Sequence, residues 1–287
     1  EPESIAIAQA IQAVPILTPS SPDPVQTPYV HQAGEKPPIL LLHGFDSSLF
    51  EYRRLLPKLA PQHEVWAIDL FGFGFTERRP ELTYNPEAIK AHIQAFWQTQ
   101  IQQPVILVGA SMGGAAAIDF TLSHPEAVRQ LILIDSAGIP QRPWTWRLMF
   151  PPLDKWATEF LRSPKVREQI SRKAYADEKW VTADANCCAA LHLDVPDWSL
   201  SLMNFTKSGG YGSFAKQLPD LKQPTLLLWG ERDAILGTKD ANVFTQLLPN
   251  AKLVWIPEAG HVPHLEQSAR VATEILQFVA QDAVALA

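Results

Sequence analysis

The sequence predicts an α/β fold in which a mostly parallel central sheet is flanked by helices, with a helical segment inserted late in the chain. Three observations lead there. Short apolar runs alternate with helix-like stretches, the pattern of βαβ units whose strands are buried on both faces. Several of these runs end in a turn carrying Ser, Asp or His, and ligands of such sheets sit beyond the carboxyl ends of the strands. Between residues 140 and 221 the alternation stops, and no strand-like run fits it.

The elements follow in order. In the first forty residues Pro15, Pro19, Pro22, Pro24, Pro28, Pro37 and Pro38 interrupt short apolar pieces, which reads as an extended arm over 1–37 with short strands. Residues 5–16 suit an amphipathic helix or a first strand equally, and 25–31 suit an edge strand. The core is expected over 38–139 and 222–287. Its strands are predicted at 39–42, 65–68, 105–108, 131–134, 225–229 and 252–256, and its helices at 50–59, 86–100, 114–122, 239–247 and 266–284. Residues 140–221 are expected to form a helical cap. Five of the nine tryptophans lie in it (Trp144, Trp146, Trp156, Trp180 and Trp198), with Phe150, Phe160, Tyr175, Phe205 and Tyr211. Most of these aromatics are expected to fill the cap's own core and a few to line a pocket.

Bulk properties exclude several functions. The chain of 287 residues is 46% hydrophobic and 19% charged, and no uncharged apolar run approaches the roughly 20 residues that span a bilayer. A net charge of −6 without a basic run argues against nucleic acid, whose phosphates need clustered Lys and Arg. The partner expected is a small-molecule substrate, with monomer and homodimer both open. Cys187 and Cys188 are adjacent, so they staple nothing and make a poor metal pair. They fit a reducing, cytoplasmic location. The chain begins Glu1-Pro2 instead of Met, which reads as processing or trimming.

The chemistry concentrates at strand ends. Gly109-Ala110-Ser111-Met112-Gly113 fits G-x-S-x-G between a strand and a helix, the context of a nucleophile elbow. A sharp turn with serine at its tip needs small neighbours so that strand and helix backbones can approach. Ser111 is therefore the candidate nucleophile. A serine hydroxyl needs a base and an acid that orients the base, and His261 and Asp233, each following a strand, supply them in the chain order Ser, Asp, His. An oxyanion hole needs backbone N–H groups near the serine. Met112 N–H and Phe45 N–H in His43-Gly44-Phe45 are the candidates, with His43 and Gly44 supporting that loop.

Together these motifs resemble the α/β-hydrolase superfamily, in the group with His-Gly after the third strand and a helical cap. The resemblance runs from about residue 25 to the C-terminus. It rests on Leu-Leu-Leu-His-Gly-Phe at 40–45, Asp-Leu-Phe-Gly-Phe-Gly at 69–74, Gly-Ala-Ser-Met-Gly-Gly at 109–114, Trp-Gly-Glu-Arg-Asp at 229–233 and Gly-His-Val-Pro-His-Leu-Glu at 260–266. It implies an α/β-hydrolase fold and a Ser111-His261-Asp233 triad, and no cofactor is expected.

Other positions compete. Asp135 and Asp69 also follow strands, but Asp233 sits in the commoner motif and Asp69 suits a turn cap. His264 lies three residues past His261 and reads as a pocket-rim or structural histidine. His31, His63, His92, His124 and His192 have no partners in sequence, so surface or core roles are the default. No metal is expected, because no His-x-x-x-His pair or ligand-spaced Cys or carboxylate cluster occurs. Gly72 and Gly74 evoke a dinucleotide loop but lack its third glycine and a following helix.

Carboxylic ester hydrolysis through an acyl-enzyme is the expected reaction, on a small to medium and mainly apolar substrate. Ser-Met-Gly-Gly and Ile-Asp-Ser-Ala-Gly also resemble hydrolases that cleave carbon–carbon bonds of ring-fission products. Those enzymes usually have Asn before the serine and an aromatic after the histidine, where this chain has Ala110 and Val262. A small-ligand receptor that keeps the triad with little turnover is a reading from another class. Arg142, Arg147, Arg162, Arg167 and Arg172 lie in the insertion, and any one facing the pocket would admit a carboxylate.

Overall fold

The computed structural model describes residues 1–139 and 158–285, with side chains described to residue 281. The strands are β1 (Gln12–Ile16), β2 (Val25–Gln32), β3 (Ile39–Leu42), β4 (Val65–Ile68), β5 (Val105–Ala110), β6 (Val128–Ile134), β7 (Thr225–Gly230) and β8 (Ala251–Ile256). They form one sheet in the order β1-β2-β4-β3-β5-β6-β7-β8. β1 pairs with β2, and β2 with β4, antiparallel, while every later pairing is parallel.

The central strands read as continuous apolar runs because each side of the sheet is covered. Along β3, Leu40 and Leu42 face one hydrophobic cluster while Ile39 and Leu41 face the other, and β5 divides likewise, with Leu107 on one side and Ile106 and Val108 on the other. All four residues of β3 are fully buried. The helices are α1 (Pro2–Ala10), α2 (Leu56–Leu59), α3 (Pro86–Phe96), α4 (Met112–Ser123), α5 (Pro164–Ala174), α6 (Ala183–Cys188), α7 (Trp198–Lys207), α8 (Lys239–Leu247), α9 (Pro263–Glu266) and α10 (Ser268–Ala285). Asn85 caps α3 by accepting the Ala88 N–H at 2.8 Å.

Several expectations change in detail. Residues 5–16 divide between a helix and a strand: α1 ends at Ala10 and β1 takes over two residues later. β2 is interior instead of an edge strand, since β1 covers its outer side. The single helix expected over 50–59 is a 3₁₀ turn (Leu49–Tyr52) followed by the short α2, because Pro57 lacks the N–H that would continue the first piece. Between β6 and β7, the described residues hold helices α5, α6 and α7 with short 3₁₀ turns and no strand. Trp144, Trp146, Phe150, Trp156, Arg142 and Arg147 lie outside the described residues. Among the described residues, no helix is long and apolar enough to cross a membrane.

The helical segment is tied to the sheet end of the core. Asp46, in the loop after β3, accepts from Arg167 Nη1 at 2.7 Å, Trp198 Nε1 at 2.8 Å and His192 Nε2 at 3.1 Å. Arg78 donates to Gly72 O and Gly74 O in the loop after β4 and to Ser201 Oγ on α7. Burial pulls the Arg78 pKa down to about 10, which leaves it charged at neutral pH.

Candidate active site

The site lies where β3, β5, β7 and β8 end. β5 runs directly into Ser111, whose φ of 50° and ψ of −117° place a non-glycine residue in a sparsely populated backbone region. The turn is held by its surroundings. Ser111 N donates to Ile134 O at 3.0 Å, and Ser111 O accepts from Gly114 N at 3.0 Å and Ala137 N at 2.9 Å. Gly113 is required by close approach: a Cβ there would stand 2.1 Å from Leu42 O and 2.5 Å from His43 O. The first turn of α4 is thereby pressed against the His43-Gly44-Phe45 loop, and Gly44 lies so near that its Cβ would be 3.3 Å from Ser111 Cβ.

Met112 opens α4, so its N–H has no acceptor within the helix, and the Phe45 N–H likewise takes none among the described residues. Met112 follows the serine directly, and Phe45 lines the same cavity as Ser111. His43 is fully buried, bonds Gly44 O through Nδ1 at 2.8 Å and accepts Leu70 N–H on Nε2 at 3.1 Å. That pairing fixes its Nδ1–H tautomer, and burial lowers its pKa to about 4, so it braces the loop as a neutral ring. The Phe45 ring is 43% exposed and leans on Phe73 and Phe205.

His261 and Asp233 meet after β8 and β7. His261 Nδ1 lies 3.0 Å from Asp233 Oδ2, while Asp233 Oδ1 accepts Ile235 N–H at 2.7 Å and Leu236 N–H at 3.1 Å. Burial works to raise the Asp233 pKa, but the bond and charge of His261 and the two amides outweigh it and keep the carboxyl below its ordinary value. The His261 backbone is anchored by its own N–H to Ala174 O at 2.7 Å, at the end of α5. Ser111 and His261 open onto one cavity of about 180 Å³, whose walls include Phe45, Phe50, Ile170, Val262 and Leu265.

Asp135 sits beside this pair. It is fully buried, and its Oδ1 accepts Gly230 N–H at 3.0 Å. Burial first and the Asp233 charge second push its pKa well above its ordinary value. One ligand atom each of Asp135, Asp233 and His261 lie within 4.8 Å of one another, a grouping that the spacing in sequence did not announce. His261 and Asp233 spend theirs on each other. Asp69, the other strand-end acid, caps a loop: it accepts Leu49 N–H at 2.7 Å and Phe75 N–H at 2.8 Å. Burial raises its pKa to about 7. Gly74 has a φ of 55° and comes so close to Asp69 that a Cβ would stand 2.2 Å from the carboxylate, which explains this glycine without a nucleotide.

Two parts of the site were not legible in sequence. Glu51 accepts Gly44 N–H at 2.9 Å on one oxygen and faces His264 Nε2 at 3.1 Å on the other. Burial opposes its charge, yet the bond and charge of His264, with His43 and Ser47, bring its pKa down to about 2. His264 is fully buried, so it is structural and not on a pocket rim. His192, one of the histidines without a partner in sequence, binds Asp46 in the tie described above. No motif marks Glu51 or Asp46, because their partners come from distant parts of the chain.

Residues 39–274 match the model of the "Alpha/beta hydrolase family". The chain belongs to the alpha/beta hydrolase family. This α/β-hydrolase is 31% identical over 249 residues to the "Alpha/beta hydrolase domain-containing protein VTE7" of Arabidopsis thaliana, covering 86% of this chain and 75% of that one. It is 24% identical over 269 residues to a "2-hydroxymuconate semialdehyde hydrolase" of Pseudomonas sp. (strain CF600), covering 90% of this chain and 92% of that one. Its fold is shared by a thermophilic esterase from Thermogutta terrifontis, with a TM-score of 0.81 at 24% identity over 94% of this chain and 98% of that one. The α/β-hydrolase is thus an enzyme of a hydrolase family, with an eight-stranded, mostly parallel sheet.

Proposed function

We propose that the protein is a serine hydrolase that cleaves carboxylic esters of small to medium size, with residues 140–221 acting as the cap over its acyl pocket. The observation that carries the reading is the 3.0 Å bond from His261 Nδ1 to Asp233 Oδ2, with His261 and Ser111 lining one cavity. Asp233 holds Nδ1 as the protonated nitrogen, which leaves Nε2 as the base. Ser111 Oγ attacks the ester carbonyl as its proton passes to Nε2. The oxyanion takes hydrogen bonds from Phe45 N–H and Met112 N–H, each worth about 3 kcal/mol of barrier. His261 then protonates the leaving alkoxide, giving the free alcohol and an acyl-Ser111. A water attacks this acyl group with its proton going to His261, and the acid departs as Ser111 recovers its proton.

Ester panels graded by acyl length, run with wild type and Ser111→Ala, test the reading. Saturable turnover by wild type and none above background in the variant is expected; turnover that survives in Ser111→Ala overturns it. The similarity to a 2-hydroxymuconate semialdehyde hydrolase over 90% of the chain supports a second reading, cleavage of a carbon–carbon bond by the same parts. A vinylogous diketone in the same panel separates the two. Ala110 and Val262 stand where that group usually has Asn and an aromatic, so the ester is expected to be turned over faster.

A further inference from the structure

Helix α5 turns one face to the Ser111 cavity. Arg167, Ile170, Ser171 and Ala174 all line it, at the i, i+3, i+4 and i+7 spacing of a single helical face. Arg167 brings no spare charge to that cavity, since Nη1 donates to Asp46 Oδ2 at 2.7 Å and Nη2 to Ala189 O at 2.8 Å. Arg162 and Arg172 are engaged elsewhere, with Leu193 O and with Glu168 and Glu178. Arg167 is therefore a tie and not a carboxylate subsite.

The two ends of that face hold different parts of the site. Near the start, Arg167 binds Asp46, which directly follows Phe45 and is itself fixed at a φ of 50°. The Phe45 amide is thus one residue away from the tie. At the other end, Ala174 O accepts His261 N–H at 2.7 Å. Just past the helix, Ala176 N–H and Asp177 N–H donate to Glu266 Oε2 at 2.9 and 3.4 Å. The second oxygen of the same carboxylate, Glu266 Oε1, accepts Gly260 N–H at 2.6 Å, one residue before His261. Glu266 is buried, so water does not compete for these amides. Gly260 leaves no room between the two segments: a Cβ there would run into Ala174 O and stand 2.7 Å from Ala176 N. Arg167 and Ala174 share one helix and lie about 10 Å apart along its axis.

We infer that α5 is a brace that sets the spacing between the Phe45 amide and the His261 ring, with Arg167 and Glu266 as its positioning residues. The inference rests on the serine hydrolase reading and adds to it two residues that act through others, Arg167 through Asp46 and Glu266 through Gly260. An oxyanion donor and a base must reach the same carbonyl group at once. Misplacing either by about 1 Å costs on the order of 100-fold in rate, so a rigid element bonded next to both has direct catalytic consequence.

The test measures kcat and KM for p-nitrophenyl butyrate in wild type, Arg167→Met, Glu266→Gln and the double variant. Arg167→Met drops both bonds of that end while keeping most of the bulk, and Glu266→Gln leaves one accepting oxygen for the two segments it joins. Each is expected to lower kcat by about 10- to 100-fold while KM stays within about threefold of wild type. Because one brace needs both ends, the double variant should fall no more than about threefold below the worse single variant. Arg167→Lys, which keeps a donor for Asp46, should recover part of the loss. Asp46→Asn opens the same end from the other side, with a residue that tolerates the left-handed backbone, and takes the place of Arg167→Met if that variant does not fold. Losses in kcat below about threefold, losses carried by KM, or single losses that multiply in the double variant overturn the brace. Wild-type turnover matched by both variants does so while leaving the hydrolase reading intact. A wild type that turns over no ester overturns that reading instead, and the brace is then read by the rate of fluorophosphonate labelling at Ser111. Labelling slowed in both variants upholds the brace, labelling at the wild-type rate overturns it, and no labelling of wild type overturns both.

Discussion

At the scale of single residues, the division of labour between two neighbouring acids carries the most weight. Asp233 is bonded to His261 and held below its ordinary pKa, whereas Asp135 is bonded to Gly230 N–H and pushed above its own by burial. Asp233→Asn would stop fixing the His261 tautomer, and kcat should fall by about 10⁴-fold with little change in KM. A loss below tenfold would transfer the acid's role to Asp135. Glu51 is the buried support of the His43-Gly44-Phe45 loop. Glu51→Leu leaves Gly44 N–H and His264 without their acceptor and should cost about 3–5 kcal/mol in urea unfolding, together with a fall in kcat. Unchanged stability would mean that the Glu51–His264 pair contributes no net energy. The triad candidates were legible because each follows a strand within a short local motif. Glu51 and Asp46 were not, since their roles arise from contacts across long stretches of chain.

At the scale of elements, the elbow and the tie between core and helical segment make separate predictions. Gly113→Ala forces a Cβ into the Leu42 and His43 carbonyls, and neither backbone group can yield without moving β3 or α4. The variant should lose several kcal/mol of stability, about the upper range for single substitutions, or fail to accumulate as folded protein. A Tm within 2–3 °C of wild type, roughly 1 kcal/mol for a chain of this size, would contradict that contact. Asp46→Ala strips Arg167, His192 and Trp198 of one shared acceptor. Breaking a buried pair in this way costs about 3–5 kcal/mol, and the released segment should be cut by protease before the core. Simultaneous cleavage of segment and core would show that Asp46 does not govern the tie. Strand positions were legible to within a few residues because apolar runs of this length, flanked by turns, have few alternatives. The 50–59 segment was not, because its apolar spacing suits a helix that Pro57 interrupts.

For the whole molecule, buried carboxyls give stability opposing pH dependences. Glu51 has its pKa lowered from 4.5 to about 2, so its contribution is complete above pH 4.5 and is lost as pH falls towards 2. Asp69 has its pKa raised from 3.8 to about 7, so its neutral form favours folding at low pH and that advantage is lost as pH rises through 7. Urea unfolding of Asp69→Asn across pH 4–8 should therefore show a flatter decline than wild type. An unchanged slope would mean that Asp69 is ionised in the fold throughout. The architecture was legible because the βαβ alternation and the motif order constrain each other. The antiparallel placement of β1 was not, because its proline-broken sequence specifies no partner.

The most direct measurement is labelling by a fluorophosphonate at neutral pH, followed by peptide mapping. One label per chain on Ser111, absent in Ser111→Ala and slowed by orders of magnitude in His261→Ala, is the predicted result. A folded wild type that leaves Ser111 unlabelled, or carries the label on another serine, would contradict the account.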